Sequence, residues 1–271
     1  MGRFSIASML RKKHLDTLVI HAGAQDVHGA VCLPIFQSAT FAQGDDVPYE
    51  DIQYTRLSNT PNHSVLHARL AAVCGGEDAL VMASGMAAIT TTLMSVLRSG
   101  AHLLAQDCLY GGTYSFVTDD LPGMGVDTTL FDASEPNTWA SGVRQNTAAI
   151  YVESLTNPLV GLADLEAVVA FARTHGLISI IDNTFASPAN FRPLEIGFDI
   201  SVHSATKYLN GHSDIVAGCA IGGRDHIARI RPKLAHLGGC LDPHACFLLE
   251  RGLKTLPLRV RQQNANAQAL A

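Results

Sequence analysis

The sequence lacks the long hydrophobic runs of a membrane protein and the positive charge of a nucleic-acid-binding protein. Its apolar segments, such as residues 79–83, are far shorter than the ~20 residues that cross a bilayer. The formal net charge of the 271 residues is −5, which provides no electrostatic attraction for nucleic acid. We therefore expect no membrane or nucleic-acid partner, and instead small molecules and other copies of the same chain.

The motifs of several common protein classes are also missing. No Gly-x-Gly-x-x-Gly follows the first predicted strand, which argues against an NAD-dependent oxidoreductase. Neither a P-loop nor a Gly-x-Ser-x-Gly nucleophile elbow is present. The six cysteines include no Cys-x-x-Cys pair and are too sparse for a disulfide scaffold. We interpret them as reduced thiols of a cytoplasmic protein.

Short apolar runs alternate with helical patterns along most of the chain. The predicted strands lie at 79–83, 102–106, 127–131, 148–152 and 177–182. The predicted helices start at about residues 63, 84, 110, 135, 163 and 245, and the last continues to the final residue. This alternation indicates an α/β fold with a mostly parallel sheet covered by helices. Ligands of such sheets bind beyond the carboxyl ends of the strands.

Lys207 lies within a stretch, residues 201–218, that is poor in acidic partners. The hydroxyl groups of Ser204 and Thr206 precede the lysine and could hold a phosphate. An amine that forms a Schiff base must be deprotonated near neutral pH, and desolvation or a second cation lowers its pKa from ~10.4. The pattern suits pyridoxal phosphate (PLP), although a Ser/Thr/Lys cluster is also common in ordinary turns.

Several more candidate residues follow predicted strands at the same edge of the sheet. Ser84-Gly85-Met86 starts a helix whose free N–H groups favour an anion. Tyr110 could stack on a planar ligand or pack in the core, and Asn157 offers a neutral hydrogen bond. Asp182 could cap a turn or pair with a cationic ring nitrogen. Each residue alone is ambiguous, but together they supply the groups that PLP needs.

Two further pairs of residues have the spacing of a site. Tyr54 and Arg56 lie on one side of an extended segment and suit a phosphate oxygen, or else form a strand-edge pair pointing into water. His63 and His67 are four residues apart, as in some metal sites. No further ligand follows them at metal spacing, so we expect both to be surface histidines.

These residues resemble the Cys/Met-metabolism PLP enzymes, which include cystathionine γ-synthase, cystathionine γ-lyase and methionine γ-lyase. The resemblance extends from about residue 35 to residue 271 and implies the aspartate aminotransferase-like fold, fold type I. Its motifs are Tyr54-Thr-Arg56, Ala83-Ser-Gly-Met-Ala-Ala-Ile89, Tyr110-Gly-Gly-Thr113, Asp182-Asn-Thr184 and Ser204-Ala-Thr-Lys-Tyr-Leu-Asn-Gly-His-Ser-Asp214.

The resemblance implies a role for each candidate residue. Lys207 would carry PLP as a Schiff base and transfer protons, Asp182 would keep the pyridinium nitrogen protonated, and Tyr110 would stack on the ring and assist proton transfer. The residues implied in the remaining contacts are Gly85, Met86, Ser204 and Thr206 for the phosphate, Asn157 for the side of the ring hydroxyl, and Tyr54 and Arg56 for the phosphate of a neighbouring subunit's cofactor. At least a homodimer is implied, and homotetramers are usual in the family.

The resemblance also implies a trans-sulfuration enzyme that acts on cystathionine or an activated homoserine by γ-elimination or γ-replacement. Gly112 stands where methionine γ-lyases usually have cysteine, which disfavours that branch. Lyase and synthase are not separated by these residues. The alternatives are a PLP aminotransferase, which shares the fold but not the Ser-Ala-Thr-Lys context, and a catalytically impaired PLP-binding protein.

The same resemblance predicts the domain organisation. Residues 1–50 would form an N-terminal arm, residues 51–235 the large PLP-binding domain, and residues 236–271 a linking helix and the start of a smaller C-terminal domain. Most of that domain, with the arginine that binds the substrate carboxylate in the family, is missing from the sequence. We therefore expect a truncated chain.

Overall fold

The computed structural model describes residues 14–45, 47–48 and 51–271. The first 13 residues of the predicted N-terminal arm, and Asp46, Tyr49 and Glu50, lie outside the described residues. The strands are Asp78–Met82 (β1), His102–Gln106 (β2), Asp127–Phe131 (β3), Thr147–Glu153 (β4), Ile178–Asp182 (β5), Ile200–Ser204 (β6) and Gly218–Gly222 (β7).

The α-helices are numbered in chain order. They are Leu15–His21 (α1), Pro61–Cys74 (α2), Gly85–Val96 (α3), Gly111–Ser115 (α4), Leu121–Gly123 (α5), Leu165–His175 (α6), Ser187–Asn190 (α7), Pro193–Ile196 (α8), Arg224–Leu237 (α9), Pro243–Leu253 (α10) and Leu256–Leu270 (α11). Short 3-10 helices span Thr55–Leu57 and Pro136–Gly142, and a π-helical turn spans Phe116–Asp120. Within the described part of the chain, every helix is too short or too polar to cross a lipid bilayer.

The seven strands form one sheet in the order β1-β7-β6-β5-β4-β2-β3. Strand β7 runs antiparallel to both of its neighbours, β1 and β6. The other pairs are parallel, so the prediction of a mostly parallel sheet is confirmed. The carboxyl ends of β1, β2, β4, β5 and β6 and the amino end of β7 therefore meet at one edge.

Helices cover both faces of the sheet because successive side chains of the strands point to opposite faces and apolar side chains lie on both. In β1, Ala79 and Val81 pack on the face covered by α1, α2, α10 and α11. Leu80 and Met82 pack on the opposite face, against α3 and α9. A third apolar cluster surrounds the buried Trp139 near α6. With both faces covered, the open edge at the strand ends remains for a ligand.

Two stretches differ from the predicted helices. Residues Pro136–Gly142 form a 3-10 helix, in which the indole Nε1 of Trp139 donates to the carbonyl oxygen of Asp132 at 2.9 Å. The predicted final helix is divided into α10 and α11. Pro257 accounts for the division, because its ring clashes with the carbonyl of Leu253 in a continuous helix and it lacks an N–H donor.

Candidate active site

A cavity of about 270 Å³ lies at the edge where the strand ends meet. It is lined by predicted site residues from five different connections, and these are Gly85, Met86, Tyr110, Asn157, Asp182, Ser204, Thr206 and Lys207. They are brought together because the strands that precede them run in the same direction and end at the same edge of the sheet. The rule that ligands bind at the carboxyl ends of strands thus selected residues that share one cavity.

Lys207 lies in the turn between β6 and β7. Its backbone N–H donates to the carbonyl oxygen of Ser204 at 3.2 Å, and its carbonyl oxygen accepts from the N–H of Gly211 at 2.7 Å. The side chain is exposed at the cavity. The amine is accessible from the cavity because β6 ends at Ser204 and the turn carries Lys207 beyond the packed layers.

Asp182 is the last residue of β5 and is 8% exposed. Its Oδ1 accepts hydrogen bonds from the N–H group and the hydroxyl of Thr184. Burial raises the pKa of Asp182, and the hydrogen bonds from Thr184 oppose that rise. Among the described residues no cationic side chain pairs with this carboxylate. An unpaired buried carboxylate is costly, so the site fits a ligand that brings a positive charge to Asp182.

The turn after β1 holds free backbone donors beside the end of β6. The hydroxyl of Ser84 accepts from the N–H of Ala87 at 2.9 Å and so caps α3. A Cβ at Gly85 would lie 2.7 Å from the Cβ of Ser204. This close approach places the N-terminus of α3 directly against the Ser204 side chain, and the pair suits an anion.

The two hydroxyl groups before Lys207 differ in their hydrogen bonding. Thr206 Oγ1 donates to the carbonyl oxygen of Ala217 at 3.1 Å and accepts from the N–H of Ala217 at 3.0 Å. Its single proton is therefore already used within the sheet edge. Ser204 Oγ has no hydrogen bond within residues 14–45, 47–48 and 51–271. Of the two, Ser204 has the hydroxyl that is ready to donate to a bound anion.

Glu153 connects two loops of the cavity, and its support of the loop that carries Asn157 is what the family resemblance implies. Its Oε1 accepts from the backbone N–H of Tyr110 at 2.7 Å, and its Oε2 accepts from that of Asn157 at 3.0 Å. The residue is 4% exposed. Burial, with a smaller contribution from the charge of Asp182, raises the pKa of Glu153 to about 7, and the two hydrogen bonds oppose the rise.

Tyr54 and Arg56 are not among the residues that line the cavity of their own chain. The guanidinium Cζ of Arg56 lies 5.2 Å from the centroid of the Tyr54 ring, within cation–π distance. Arg56 Nη1 also donates to the carbonyl oxygen of Ala235 at 3.0 Å. The two side chains thus contact each other at the short 3-10 helix Thr55–Leu57, and Arg56 also contacts α9.

The expectation of surface histidines at positions 63 and 67 is wrong. Both side chains are buried, His63 at 0% and His67 at 6% exposure. The ring nitrogens of His63 lie 2.7 Å from Thr60 Oγ1 and 2.7 Å from the carbonyl oxygen of Leu241. The histidine face of α2 packs inward, and burial lowers the pKa of both rings.

Comparisons with known proteins extend these observations. The family model described as Cys/Met metabolism PLP-dependent enzyme matches residues 16–271. A probable cystathionine gamma-synthase of Herpetosiphon aurantiacus is 41% identical over 261 residues, which cover 94% of this chain and 80% of that protein. The structure of cystathionine gamma-lyase from Lactobacillus plantarum, complexed with L-serine, is 34% identical with a TM-score of 0.86.

A Campylobacter jejuni protein, whose structure contains N'-pyridoxyl-lysine-5'-monophosphate, has a TM-score of 0.89 at 28% identity. The match covers 96% of this chain and 75% of that one. For the Lactobacillus plantarum enzyme the corresponding shares are 91% and 65%, so the chain spans about two thirds of that relative's length. The fold prediction is confirmed by both structures. Because the family model and the relatives match almost all of its residues, the chain belongs to the Cys/Met metabolism PLP-dependent enzyme family.

Proposed function

We propose that the chain is a PLP-dependent trans-sulfuration enzyme that acts on cystathionine or an activated homoserine. It would remove the α-proton of the substrate and then eliminate or replace the γ-substituent. The proposal depends on one observation, that a lysine amine, an unpaired buried carboxylate and a capped helix N-terminus line a single cavity. The γ-synthase and γ-lyase relatives support this reaction class. When bound, PLP supplies the electron sink that makes the α-proton of an amino acid removable.

The residues of the cavity fit PLP by their chemistry. Lys207 offers the primary amine for covalent attachment, and the Asp182 carboxylate lacks the cation that a protonated pyridine nitrogen provides. The backbone N–H groups of Gly85 and Met86, with the Ser204 hydroxyl, suit the phosphate. The residues proposed for the remaining contacts are Asn157 at the ring hydroxyl, Tyr110 on the ring face, and Thr206 at the phosphate once its hydroxyl turns away from Ala217.

The reaction needs groups that move protons at defined atoms of the substrate. Lys207 Nζ would take the proton from Cα and deliver it at a later step, which its exposed position at the cavity permits. The Tyr110 hydroxyl would assist this transfer. The hydrogen bond from the Tyr110 N–H to Glu153 fixes the backbone from which the ring projects into the cavity.

The enzyme would work as a homodimer or homotetramer in the cytoplasm. Tyr54 and Arg56 are partly exposed and lie away from the cavity of their own chain, which supports a role at the phosphate of a neighbouring subunit. A guanidinium is well suited to that role because it binds phosphate oxygens in pairs. The six free thiols support a reducing compartment.

Absorbance spectroscopy of the purified protein mixed with PLP tests the proposal. The parent and a Lys233→Ala control, altered at an exposed lysine of α9, should both develop the yellow Schiff-base band, whereas Lys207→Ala should not. The proteins that develop the band should also release 2-oxobutyrate from cystathionine, and Lys207→Ala should not. A band that persists in Lys207→Ala would overturn the assignment of the lysine. Amino-group transfer without 2-oxobutyrate release would overturn the reaction class.

A further inference from the structure

The guanidinium group of Arg259 reaches from α11 to the backbone of the turn that follows Lys207. Its Nη1 donates to the carbonyl oxygen of Tyr208 at 2.8 Å, and its Nη2 approaches those of Leu209 and Asn210, both at 3.4 Å. Three successive carbonyl groups after Lys207 therefore converge on one cation. A planar guanidinium with five donors can satisfy several acceptors at fixed angles, and the point charge of an ammonium group cannot.

The other donors of Arg259 anchor it at the junction of the last two helices. Nη2 donates to the carbonyl oxygen of Gly252 at 3.0 Å, and Nε donates to the hydroxyl of Thr255 at 3.0 Å. No carboxylate pairs with Arg259 in the part of the chain that the structure describes. Half-buried and without an acidic partner, the side chain is used for its hydrogen-bonding geometry and not for an ion pair.

The turn fits the guanidinium without spare room. Gly211 has a φ of +74°, and a Cβ at this position would lie 2.0 Å from Arg259 Nη1. The N–H of Gly211 donates to the carbonyl oxygen of Lys207 at 2.7 Å and closes the turn on the lysine itself. A displacement of the guanidinium is therefore passed to the backbone of Lys207 through one short turn.

The preceding side of Lys207 is fixed by the sheet edge. The backbone N–H of Thr206 donates to the carbonyl oxygen of Ala217 at 3.1 Å, next to the start of β7. We propose that Arg259 is a positioning residue for Lys207, and that it holds the turn from Tyr208 to Gly211 so that the amine stays at the cavity that contains Asp182. This inference rests on the proposed function of Lys207, and its test contains a readout that does not depend on PLP.

Hydrogen exchange of the cofactor-free chain provides that readout. Arg259→Lys keeps the charge but loses the planar fork, and Arg259→Gln loses both. Residue 261 of the same helix gives the matched control, because Arg261 is exposed and its one ion pair among the described residues is with Asp16 at 3.0 Å. We expect both Arg259 variants to speed exchange in residues 205–216 at least about tenfold, with the smaller change in Arg259→Lys, and Arg261→Gln to have no effect.

A second variant acts from the opposite side of the contact. Gly211→Ala would push a methyl group into the guanidinium, whereas Gly176→Ala has a similar φ of +66° with nothing within 4 Å of its Cβ. Only Gly211→Ala should reproduce the faster exchange of the turn. This pair of variants separates displacement of Arg259 from the strain of an alanine at positive φ, and it remains informative where an Arg259 variant fails to fold.

The loaded enzyme gives a spectroscopic readout. In the Arg259 variants the pH midpoint of the Schiff-base band should shift by at least about half a unit, because the imine nitrogen of Lys207 is held less firmly at the cavity. Unchanged exchange in residues 205–216, an increase spread equally over the strands, or an unchanged midpoint would each overturn the proposal. A parent chain without any band would instead overturn the role of Lys207, and the exchange data would still decide whether Arg259 holds the turn.

Discussion

Glu153 and Asp182 lie opposite each other in the register of β4 and β5, each as the last residue of its strand. Two buried carboxylates thus stand side by side at one cavity. Negative charges on neighbouring strands disfavour the simultaneous ionisation of the two carboxyl groups. Burial raises the pKa of Glu153 to about 7, and the charge of Asp182 adds to that rise. Glu153 therefore exchanges its proton near neutral pH.

Replacing Glu153 by glutamine should change how stability depends on pH. The folded-state pKa of about 7 lies above the ordinary value of 4.5, so the folded chain binds the proton more tightly than the unfolded chain. The stability from this group is present in full below pH 4.5 and is lost as pH rises to about 7, a decrease of up to about 3 kcal/mol. Glu153→Gln should lack that decrease in urea unfolding of the cofactor-free protein.

Glu166→Gln is the matched control for this experiment, since Glu166 is exposed on α6. Its unfolding should follow the parent at each pH. Identical pH profiles for the parent, Glu166→Gln and Glu153→Gln would show that Glu153 does not titrate in this range.

Replacing Gly85 by alanine should disturb the contact between α3 and β6. A Cβ at Gly85 meets Ser204 Cβ at 2.7 Å, whereas Gly111, which also starts a helix after a strand, has nothing within 4 Å. Gly85→Ala should lower the free energy of unfolding by about 1 to 3 kcal/mol and weaken PLP binding at least about tenfold. Gly111→Ala should stay within about 1 kcal/mol of the parent. Equal effects of the two changes on PLP titrations would contradict the close contact.

A mixture of two impaired variants tests whether Arg56 acts on a neighbouring subunit. Arg56→Ala should lower activity about 10- to 100-fold by removing a charge-assisted phosphate contact, and Lys207→Ala should abolish activity. In a hybrid dimer, one site would combine Lys207 from the first chain with Arg56 from the second. Co-expression of the two chains should therefore restore part of the lost activity, measured as 2-oxobutyrate release.

Two controls define that experiment. Separately purified variants, mixed without subunit exchange, should show only the residual activity of Arg56→Ala. Recovery would be absent if Arg56 served its own chain, because neither the hybrid dimer nor the homodimer of either variant would then contain a complete site.

The sequence predicts the α/β architecture well because periodicity is a local property. Strand β2 has the predicted bounds, 102–106, and the helix over 163–175 is close to the observed Leu165–His175. The burial of His63 and His67 was missed because histidine in a helix gives no signal of which face packs inward. The helix pattern near Trp139 gave no indication of its tighter 3-10 geometry.

Long-range features of the site could not be obtained from local patterns. The cavity residues were found because strand-end positions follow from the chain order of a parallel sheet. The contact of Arg259 with Tyr208 joins residues about fifty positions apart in the chain, and no spacing rule connects them. The hydrogen bonds between the Thr206 hydroxyl and Ala217 depend in turn on the position of β7 between β1 and β6.

The position of β7 between β1 and β6 has a consequence for the order in which the sheet assembles during synthesis. Strand β7 comes after the other six described strands in the chain, yet it lies between β1 and β6 and is the neighbour through which β1 joins the sheet. The turn at Ser84–Met86 follows β1, so it cannot come into place beside Lys207 until residues 218–222 have been made. In a nascent chain that pauses before residue 218, β1 would have no strand to pair with. Its unpaired backbone N–H and C=O groups form an exposed edge, and that edge is where a chaperone would be needed.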